Sequence, residues 1–512
     1  MLSSGYTHSV WMPDTDPIVP TPLDEDLRTE ICVIGAGIAG LTTAYLLARG
    51  GRQVVVLDQA AVGGGETGRT TAHLSNALDD RFTALERMHG ADGARLAAQS
   101  HAEAIDLIET IVREEAIDCD FCRVDGWLFS APGQPRERLD RELEAAHRAG
   151  LSDVERVARA PLPFETGPAL RFPRQAQFHP LRYVNALARA VERMGGRLAR
   201  AHVRKVEAGP PARTQTSGDH AVTSDVVVCA TNSPIIDRVA IHTKQAPYRS
   251  FVIAAELPEW TIPPGLYWDD GDPYHYVRTH GALLIVGGED HKTGQHDDGD
   301  ARFARLEAWT RDRFPIGEVR FRWSGQVLEP VDGLAFIGRD PGADRHLFVA
   351  TGDSGQGMTH GTIAGMLIRD LVMGRDNAWA SLYDPSRMTL RSVGEYLKEN
   401  VNVAKQYADW VRPAEVDSEA ALPPGHGGVV RDGMKRVAVY RDEQGELHRL
   451  SATCTHLGCV VHWNSTERSW DCPCHGSRFG IDGSVLAGPA PIPLAREEAE
   501  RIAHEREDVG AE

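Results

Sequence analysis

The sequence predicts an α/β nucleotide-binding domain joined to an antiparallel-sheet domain and followed by a small all-β domain. A strand, a glycine-rich turn, a helix and a second strand follow one another between residues 30 and 58. Strand-like segments dominate from Val252 to Phe336, and short strands separated by turns run from residue 413 to residue 496. Alternating apolar residues are typical of strands, and the three-to-four-residue apolar repeat is typical of helices.

The composition is that of a globular protein, with 42% hydrophobic and 25% charged residues in 512. This length suggests roughly three domains. The formal net charge of -18 argues against nucleic acid or an acidic membrane surface as a partner. No apolar run reaches the roughly 18–20 residues of a membrane span, and the N-terminus shows no signal-peptide or twin-arginine pattern, so we expect a cytoplasmic protein.

Shifts in composition and pattern divide the chain into five segments. Residues 1–28 are rich in proline and aspartate and predict an extended arm. Residues 29–375 hold the nucleotide-binding and antiparallel-sheet parts, which alternate along the chain. A helical linker over 376–412 leads to the all-β domain over 413–496, and residues 497–512 form a tail with a helical pattern.

Gly35, Gly37 and Gly40 form a G-x-G-x-x-G motif between an apolar strand and a helix. Glycines at this spacing let the backbone approach a pyrophosphate at the helix N-terminus. Asp58 ends the next strand, where a carboxylate can accept hydrogen bonds from ribose hydroxyls. The motif alone also occurs in tight structural turns, but this strand–helix–strand context predicts dinucleotide binding. The same pattern serves NAD and FAD.

Residues 29–375 resemble the FAD-dependent amino-acid/amine oxidase family, typified by glycine oxidase and D-amino-acid oxidase. The resemblance rests on the segments VIGAGIAGLTTAYLLA, GRTTAHLSN, VVVCATNSP, LLIVGGED, DGLAFIGR and GDSGQGMTHGTIAG. It implies an FAD-binding Rossmann-like domain and an antiparallel-sheet substrate domain. The residues that the resemblance places against FAD are Gly35, Gly37, Gly40, Asp58, Arg69, Thr70, Val203, Gly355, Gly357 and Met358.

The substrate side is less clearly marked in the sequence. Amino-acid-oxidising members bind the substrate carboxylate with an arginine shortly before the PDG-like turn, but Val327 stands there, which argues against a simple α-amino acid. Arg278 is the candidate replacement, because a guanidinium can bind a carboxylate through two hydrogen bonds; the alternative is an exposed strand arginine. His73 is the second candidate catalytic residue, near the place where some relatives attach flavin covalently, although the pattern favours a structural or hydrogen-bonding histidine over covalent attachment.

A second motif pairs cysteine with histidine twice, as Cys454-x-His456 and Cys472-x-x-His475. Zinc also accepts two cysteines and two histidines, but zinc fingers group them in separate pairs and place the histidines on a helix. Here each segment supplies one thiolate and one imidazole in a β-like context. This alternation favours two unequally ligated irons over zinc.

Residues 413–496 resemble the Rieske domain of cytochrome bc-type complexes, through CTHLGC, CPCHGS and GPAP. The resemblance implies a 2Fe–2S cluster, and it matches Cys459 and Cys474 to the disulfide that braces the two cluster loops. Thiols that stay reduced are the alternative, because the cytosol is reducing. The ligands implied are Cys454 and Cys472 for the inner iron, and His456 and His475 for the outer, exposed iron.

Two further positions of the resemblance concern the reduction potential of the cluster. Ser477 falls where the family carries a hydroxyl that donates to a cluster sulfur and raises the potential. Phe479 falls where high-potential members carry tyrosine. Without that hydroxyl, we expect a lower potential than in those members.

Two redox motifs in one chain predict a conversion of two-electron into one-electron transfer. The leading hypothesis is an FAD-dependent oxidoreductase that oxidises a small amine or amino-acid-like substrate. It would pass electrons through the Rieske cluster to an external one-electron acceptor protein or quinone. Two alternatives stay open, namely an oxygen-using amine oxidase with a structural or sensing Rieske domain, and an electron-transfer module feeding a separate oxygenase.

Overall fold

The computed structural model describes residues 4–135, 137–236, 241–258, 262–342, 346–388 and 390–497. All of the predicted C-terminal tail except Glu497 lies outside these residues. Among them, no helix combines the length and the apolar character needed to cross a bilayer.

The strands are, in chain order, β1 Leu27–Ile34, β2 Val54–Asp58, β3 His73–Leu74, β4 Cys122–Phe129, β5 Glu155–Val157, β6 Ala169–Gln177, β7 Arg197–Arg200, β8 Val203–Glu207, β9 Ala212–Thr216, β10 Ala221–Cys229, β11 Gln245–Glu256, β12 Gly265–Asp269, β13 His275–His280, β14 Leu283–Lys292, β15 Val319–Pro330, β16 Phe336–Arg339, β17 Leu347–Thr351, β18 His426–Asp432, β19 Lys435–Arg441, β20 Leu447–Ser451, β21 His462–Asn464, β22 Ser469–Asp471, β23 Arg478–Gly480 and β24 Val485–Ala487. The α-helices are α1 Ile38–Arg49, α2 Phe82–Glu114, α3 Glu137–Arg148, α4 Pro180–Arg193, α5 Gly299–Arg313, α6 Gly357–Val372, α7 Ala380–Tyr383 and α8 Val393–Gln406.

The first sheet contains a parallel core in the order β17-β10-β1-β2-β7, with β16 antiparallel at one edge. Strand β9 also pairs with β10, and β8 pairs with β9. Helices cover a parallel sheet on both faces, so its central strands are continuously apolar. The last four residues of β1 are accordingly all buried. The turn that follows β1 therefore lies at the middle of the carboxyl edge of this sheet.

Helix α1 begins directly after this turn because two glycines allow a close approach. Gly35 has φ +108°, in the left-handed region that favours glycine. A Cβ on Gly40 would lie 1.9 Å from the carbonyl oxygen of Gly35. Any side chain at Gly40 would push α1 away from the turn, so this spacing is needed for the fold itself as well as for a ligand.

The second sheet has the order β15-β11-β14-β13-β12-β4-β6-β3, with β5 paired to β6. Its pairs are antiparallel, as expected, except that β12 and β4 run parallel. More than a hundred residues separate these two strands in the chain, which leaves room for the crossover that a parallel pair requires. The sheet faces the carboxyl edge of the first sheet across a cavity.

The C-terminal domain consists of a three-stranded sheet, β18-β19-β20, and a four-stranded sheet, β21-β22-β23-β24. Its core contains the buried rings of Tyr440, Trp463, Trp470 and Phe479. The helical linker before it ends in a short turn where the Tyr407 hydroxyl donates to the carbonyl of Leu457 at 2.8 Å. The architecture confirms the predicted fold class.

The N-terminal segment packs inside the molecule instead of extending from it. Trp11 is fully buried, and its Nε1–H donates to the Thr70 carbonyl at 2.6 Å. Thr7 donates from its backbone N–H and its hydroxyl to the carboxylate of Glu467, which belongs to the C-terminal domain. Side chains of residues 7–11 thus find partners in both domains, so this part of the expected extended arm joins them, while neighbouring Tyr6 is 55% exposed.

Candidate active site and cluster site

A cavity of about 720 Å³ lies between the two large sheets. The turn after β1, the end of β2, the inner faces of β11 and β13 and the start of α6 all contribute to its wall. Nine of the ten predicted FAD-contacting residues line it, the exception being Gly40, which packs one turn inside α1. These nine are Gly35, Gly37, Asp58, Arg69, Thr70, Val203, Gly355, Gly357 and Met358.

Asp58 anchors the glycine-rich turn at the nucleotide end. Its two carboxylate oxygens accept from the backbone N–H groups of Ala36 at 2.6 Å and Ala60 at 2.8 Å. Burial raises the pKa of Asp58, although these hydrogen bonds oppose the shift. Each oxygen keeps a further lone pair, so the carboxylate can both shape the turn and accept from a ribose hydroxyl.

The other end of the cavity contains the N-terminus of α6. Gly357 begins this helix, and no side chain caps it. The N–H groups of the first turn therefore keep donor capacity next to the cavity, where the helix dipole favours negative charge. This arrangement suits the oxygen-rich edge of a flavin.

Four buried polar atoms of cavity-lining residues lack a partner among the described residues, namely Nε of Arg69, Nε2 of His73, Oγ of Ser233 and Oε1 of Gln326. Such atoms cost free energy unless a bound group satisfies them, so they fit a cofactor with both donors and acceptors. His73 also contacts Thr71 at 3.0 Å through Nδ1, and burial, followed by the charge of Arg278, lowers its pKa to about 3. The ring is therefore neutral. Its catalytic role stays a prediction.

Arg278 does not reach the cavity, which corrects its expected role in binding substrate. Its Nη1 donates to the carbonyls of Ala72 at 2.7 Å and Thr71 at 3.0 Å, and its guanidinium lies 5.3 Å from the centre of the Trp11 ring. Burial lowers its pKa to about 9, which leaves it a cation at neutral pH. Backbone carbonyls accept the hydrogen bonds from Arg278 that a substrate carboxylate would need. Arg278 thus holds the segment that carries His73.

Arg69 lines the cavity but turns its charged end away from it. The Nη1 atom donates to Glu467 at 2.9 Å and to the Ser324 carbonyl at 2.7 Å, while Nη2 donates to the Thr7 carbonyl at 2.8 Å. The guanidinium therefore joins the two domains, while Arg69 still lines the cavity and its contact with FAD stays a prediction. Its sequence neighbour Thr70 remains a candidate for the cofactor.

Glu467 lies in the turn between β21 and β22, which inserts into the N-terminal domain. Its Oε1 is 2.9 Å from Arg69 and 3.4 Å from Arg249, and all three side chains are fully buried. Burial alone would raise the pKa of the Glu467 carboxyl, but the two arginines hold it well below its usual range. The two domains thus share a buried ionic contact whose charges depend on each other.

The predicted cluster ligands lie on two loops with the same backbone geometry, residues 454–459 and 472–477. In each loop the N–H of the first residue donates to the carbonyl of the last at 2.8 Å. Gly458 and Gly476 donate back to the first carbonyl, and both have positive φ. A disulfide between Cys459 and Cys474 joins the loops, as the resemblance implied.

The two loops bring all four predicted ligands together. The thiols of Cys454 and Cys472 interact, and the rings of His456 and His475 are 5.0 Å apart between centroids at 86°. The buried Nδ1 of His475 has no partner among the described residues, which fits a metal ligand. The site thus offers two thiolates and two imidazoles, the donor set of a Rieske centre.

The disulfide lies directly beside this donor set. The sulfurs of Cys459, Cys472 and Cys474 fall within 4.8 Å of one another. Two of these three atoms are already bonded to each other, so they cannot act as thiolate ligands. Their proximity instead places the brace against the cluster position, where it fixes the spacing of the two loops.

The histidine edge of this site faces the N-terminal domain and is less exposed than expected for the outer iron, although His456 stays partly exposed. His475 is only 6% exposed. The ring of His242, in a short turn before β11, lies 5.1 Å from the His456 ring and 6.1 Å from the His475 ring between centroids. His242 belongs to neither sequence motif, so sequence reasoning had no signal for it.

The C-terminal domain also forms part of the cavity wall, through residues 484–488 and their neighbours. Gln326 on β15 donates from Nε2 to the carbonyl of Gly476 at 3.0 Å, one residue after the predicted ligand His475. The Gln59 side chain donates to the Leu486 carbonyl at 3.1 Å. One hydrogen bond therefore separates the cavity wall from a cluster loop.

Comparison with known proteins gives two family matches. The model for "FAD dependent oxidoreductase" matches residues 30–371, and that for "Rieske [2Fe-2S] domain" matches residues 412–497. A Bacillus subtilis (strain 168) protein, whose name describes it as a Rieske 2Fe-2S iron-sulfur protein (YhfW), is 34% identical over 94% of this chain and 96% of its own length.

Two further similarities cover the N-terminal part of the chain. Gamma-glutamylputrescine oxidoreductase of Escherichia coli (strain K12) is 26% identical over 74% of this chain and 92% of its own length. The crystal structure of glycine oxidase from Geobacillus kaustophilus matches with a TM-score of 0.60 and 19% identity, over 71% of this chain and 99% of that one. At this identity the structural match supports the fold alone.

Proposed function

Because the chain belongs to the FAD-dependent oxidoreductase family and carries a Rieske [2Fe-2S] domain after that unit, we propose that it oxidises a small amine or amino-acid-like substrate and delivers the electrons to an external acceptor. Bound FAD supplies a two-electron acceptor and the 2Fe–2S cluster a one-electron carrier. Loss of a hydride and a proton turns the C–N bond of the substrate into an imine, which water hydrolyses to a carbonyl compound and an amine. Two equivalents of a one-electron acceptor, a protein or a quinone, take up the two electrons.

The observation that carries this proposal is the wall shared by the two domains. Residues of the C-terminal domain line the same cavity as the glycine-rich turn, and Gln326 joins that wall to the loop of His475. A Rieske domain with only a structural role would not need its histidine edge against the flavoprotein domain. The buried contact of Glu467 with Arg69 keeps this arrangement closed.

The relatives support a C–N bond as the site of oxidation. The Escherichia coli relative is named for gamma-glutamylputrescine, which carries an amine. Val327 stands where amino-acid-oxidising members carry an arginine, and it lines the cavity. This departure favours an amine over a simple α-amino acid.

The test is an electron count that needs no known substrate. Illumination of the anaerobic holoprotein with EDTA reduces bound flavin through its own excited state, so electrons enter at FAD. We expect the protein to take up three electrons, two in the flavin and one in the cluster, with the flavin absorbance and the cluster EPR signal followed together.

Cys472→Ser is the matched control, because it removes one cluster ligand and leaves the cavity wall intact. This variant should take up two electrons only. A wild-type flavin that is fully reduced beside a cluster that stays oxidised would overturn the proposal. Stoichiometric peroxide formation in air, equal in both proteins, would favour the oxidase alternative.

A further inference from the structure

Aromatic side chains form one wall of the cavity where the second sheet faces it. Trp268 is the penultimate residue of β12, Tyr274 directly precedes β13 and Tyr276 is its second residue; all three line the cavity. The two tyrosine rings are 5.6 Å apart between centroids and tilted by 33°. The Tyr276 hydroxyl is 2.7 Å from that of Ser250, which fixes its ring. Aromatic faces carry partial negative charge and attract organic cations.

Carboxylates complete this end of the cavity. Asp79 and Asp353 both line it. Asp79 accepts a hydrogen bond at Oδ1 from Gln356 Nε2 at 3.0 Å, and Asp353 accepts one at Oδ1 from the Leu328 N–H at 3.3 Å. No ion pair reaches either carboxylate within the described part of the chain. Each therefore keeps an oxygen for a donor inside the cavity.

A third carboxylate lies behind the tyrosines. Asp290, at the end of β14, has a buried Oδ1 without a hydrogen-bond partner among the described residues. It acts electrostatically on Tyr274, Tyr276 and Asp79, so these groups are close neighbours. The negative charge at this end thus comes from three separate segments of the chain.

Among the described residues, no arginine or lysine lines the cavity at this end, although Arg81 acts on Asp79 from outside it. Of the residues that the structure describes, Arg69 and Arg204 are the arginines that line the cavity, and no lysine does. Arg69 is neutralised by Glu467, and Arg204 follows Val203 at the opposite, nucleotide end. Arg81 lies near Asp79, but its Nη1 donates to the Asp79 carbonyl in the backbone.

We propose that this end of the cavity binds the organic ammonium group of a substrate that has no carboxylate next to its amine, between Asp79 and the rings of Tyr274 and Tyr276. An α-carboxylate placed here would meet three acidic side chains and no arginine or lysine lining this end of the cavity. An ammonium group placed here would instead contact the carboxylate of Asp79 and the faces of two aromatic rings. The inference rests on the proposed function and narrows its substrate class from amino-acid-like compounds to cationic amines.

The test compares two probes of equal ring size and opposite charge on the FAD- and cluster-loaded protein. Benzyltrimethylammonium carries a fixed positive charge and benzoate a negative one. Binding is read from the shift of the flavin absorbance spectrum and from the rise in melting temperature, neither of which requires turnover. We expect the cation to bind at least tenfold more tightly than benzoate at pH 8. Equal or tighter binding of benzoate would overturn the inference.

Substitutions then assign the preference to this site. Asp79→Asn removes a charge at nearly constant volume. It should weaken the binding of benzyltrimethylammonium at least tenfold and leave the binding of benzoate unchanged or tighter. Tyr274→Leu removes an aromatic face and should also weaken the binding of benzyltrimethylammonium. Tyr274→Phe keeps the aromatic face and should bind this cation as tightly as the wild-type protein. An unchanged preference in Asp79→Asn and Tyr274→Leu would place cation binding elsewhere and contradict the inference.

These outcomes are independent of the electron count described above. If the protein takes up three electrons but prefers benzoate, the proposed function stands and the inferred cationic substrate is wrong. If the protein prefers the cation but its cluster stays oxidised, the inferred substrate stands and the proposed electron transfer is wrong. If Asp79→Asn fails to fold, the preference of the wild-type protein and the Tyr274 pair still decide the inference.

Discussion

At the residue scale, a few side chains connect the cavity with the cluster loops. Gln326 uses its Nε2–H for the Gly476 carbonyl, and this bond fixes the orientation of its amide, because the opposite orientation would set two oxygens against each other. Its Oε1 is left for a group inside the cavity. The same side chain thus contacts the expected places of both cofactors.

Removal of this amide tests the connection. Gln326→Met keeps the length of the side chain but leaves the buried Gly476 carbonyl without its donor. We expect a loss of about 1–3 kcal/mol in the free energy of unfolding and slower reduction of the cluster after the flavin. Denaturant unfolding and stopped-flow absorbance measure these quantities.

The control for Gln326→Met is Arg322→Gln, which lies on the same strand but breaks only the exposed ion pair with Glu307. Its effect should stay within about 0.5 kcal/mol. If Gln326→Met reduced its cluster at the wild-type rate, the amide would have no part in electron transfer.

The reduction potential of the cluster depends on hydroxyl groups near its sulfurs. Ser477 Oγ accepts from the Ala490 N–H at 3.1 Å and interacts with Cys454, while Phe479 is fully buried without a hydroxyl. Hydrogen bonds to cluster sulfurs stabilise the reduced form. We expect Phe479→Tyr to raise the midpoint potential and Ser477→Ala to lower it in a redox titration followed by EPR. Shifts in the same direction would show that the assignment of these two positions is mistaken.

The pH dependence of cation binding follows from two carboxyl groups. Removal from bulk water raises the pKa of Asp79 to about 6 and that of Asp353 to about 7. Both are raised, so both are ionised at pH 8 and become neutral as the pH falls below these values. The charges that act on Asp79 are those of Arg81, Asp80 and Asp290. Affinity for benzyltrimethylammonium should be constant above pH 8 and fall by up to about tenfold per pH unit per carboxyl below pH 6. A calorimetric titration that shows no loss at pH 5 would contradict this.

At the element scale, the elements with local signals are those that the sequence predicts well. The apolar run of β1, the turn at Gly35 and the start of α1 form one continuous pattern, and the structure has them in that order. The two cluster loops are equally local, because each repeats a cysteine, a histidine and a glycine within six residues. The parallel pair of β4 and β12 carries no such signal, since strand direction depends on how distant segments meet.

The hairpin of β21 and β22 shows the same limit of sequence reasoning. Glu467 reads as an ordinary turn residue in a polar segment, yet it is fully buried against Arg69 and Arg249. Its role depends on an arginine almost four hundred residues away. Arg69 was accordingly assigned to FAD by resemblance, although its guanidinium serves the domain contact.

Glu467→Gln tests the energy of this contact. The change leaves two buried arginines without their counter-charge, and we expect a loss of about 3–5 kcal/mol in the free energy of unfolding. Lys435→Gln, which breaks the exposed pair with Glu497 in the same domain, is the control and should cost less than about 1 kcal/mol. Similar melting temperatures for the two variants would refute the ionic contact as a stabilising element.

The same contact predicts sensitivity to acid. The pKa of Glu467 is depressed in the folded protein, so its contribution is fully present above the unfolded-state value of about 4.3 and is lost as the pH falls further. The stability of the wild-type protein should therefore fall more steeply below pH 4 than that of Glu467→Gln. Parallel stability curves over this range would argue that the carboxylate is not ionised in the folded state.

At the scale of the whole molecule, the sequence identifies two cofactor sites but not their relative placement. The docking depends on pairs such as Gln326 with Gly476 and His242 with His456, which join segments far apart in the chain. It also depends on the N-terminal segment, where Thr7 contacts Glu467. None of these residues belongs to a motif. The expectation of an exposed histidine edge came from proteins in which the Rieske domain meets a separate partner, whereas here that edge lies beside His242 of the same chain.

A flash-photoreduction experiment tests the central claim that the two cofactor sites exchange electrons within one molecule. A single light pulse reduces bound FAD in the anaerobic protein, and absorbance then follows flavin and cluster together over a tenfold range of protein concentration. The account predicts that the flavin is reoxidised in the same first-order phase in which the cluster is reduced, at a rate independent of protein concentration. A cluster that stays oxidised, or a rate that rises in proportion to concentration, would contradict it.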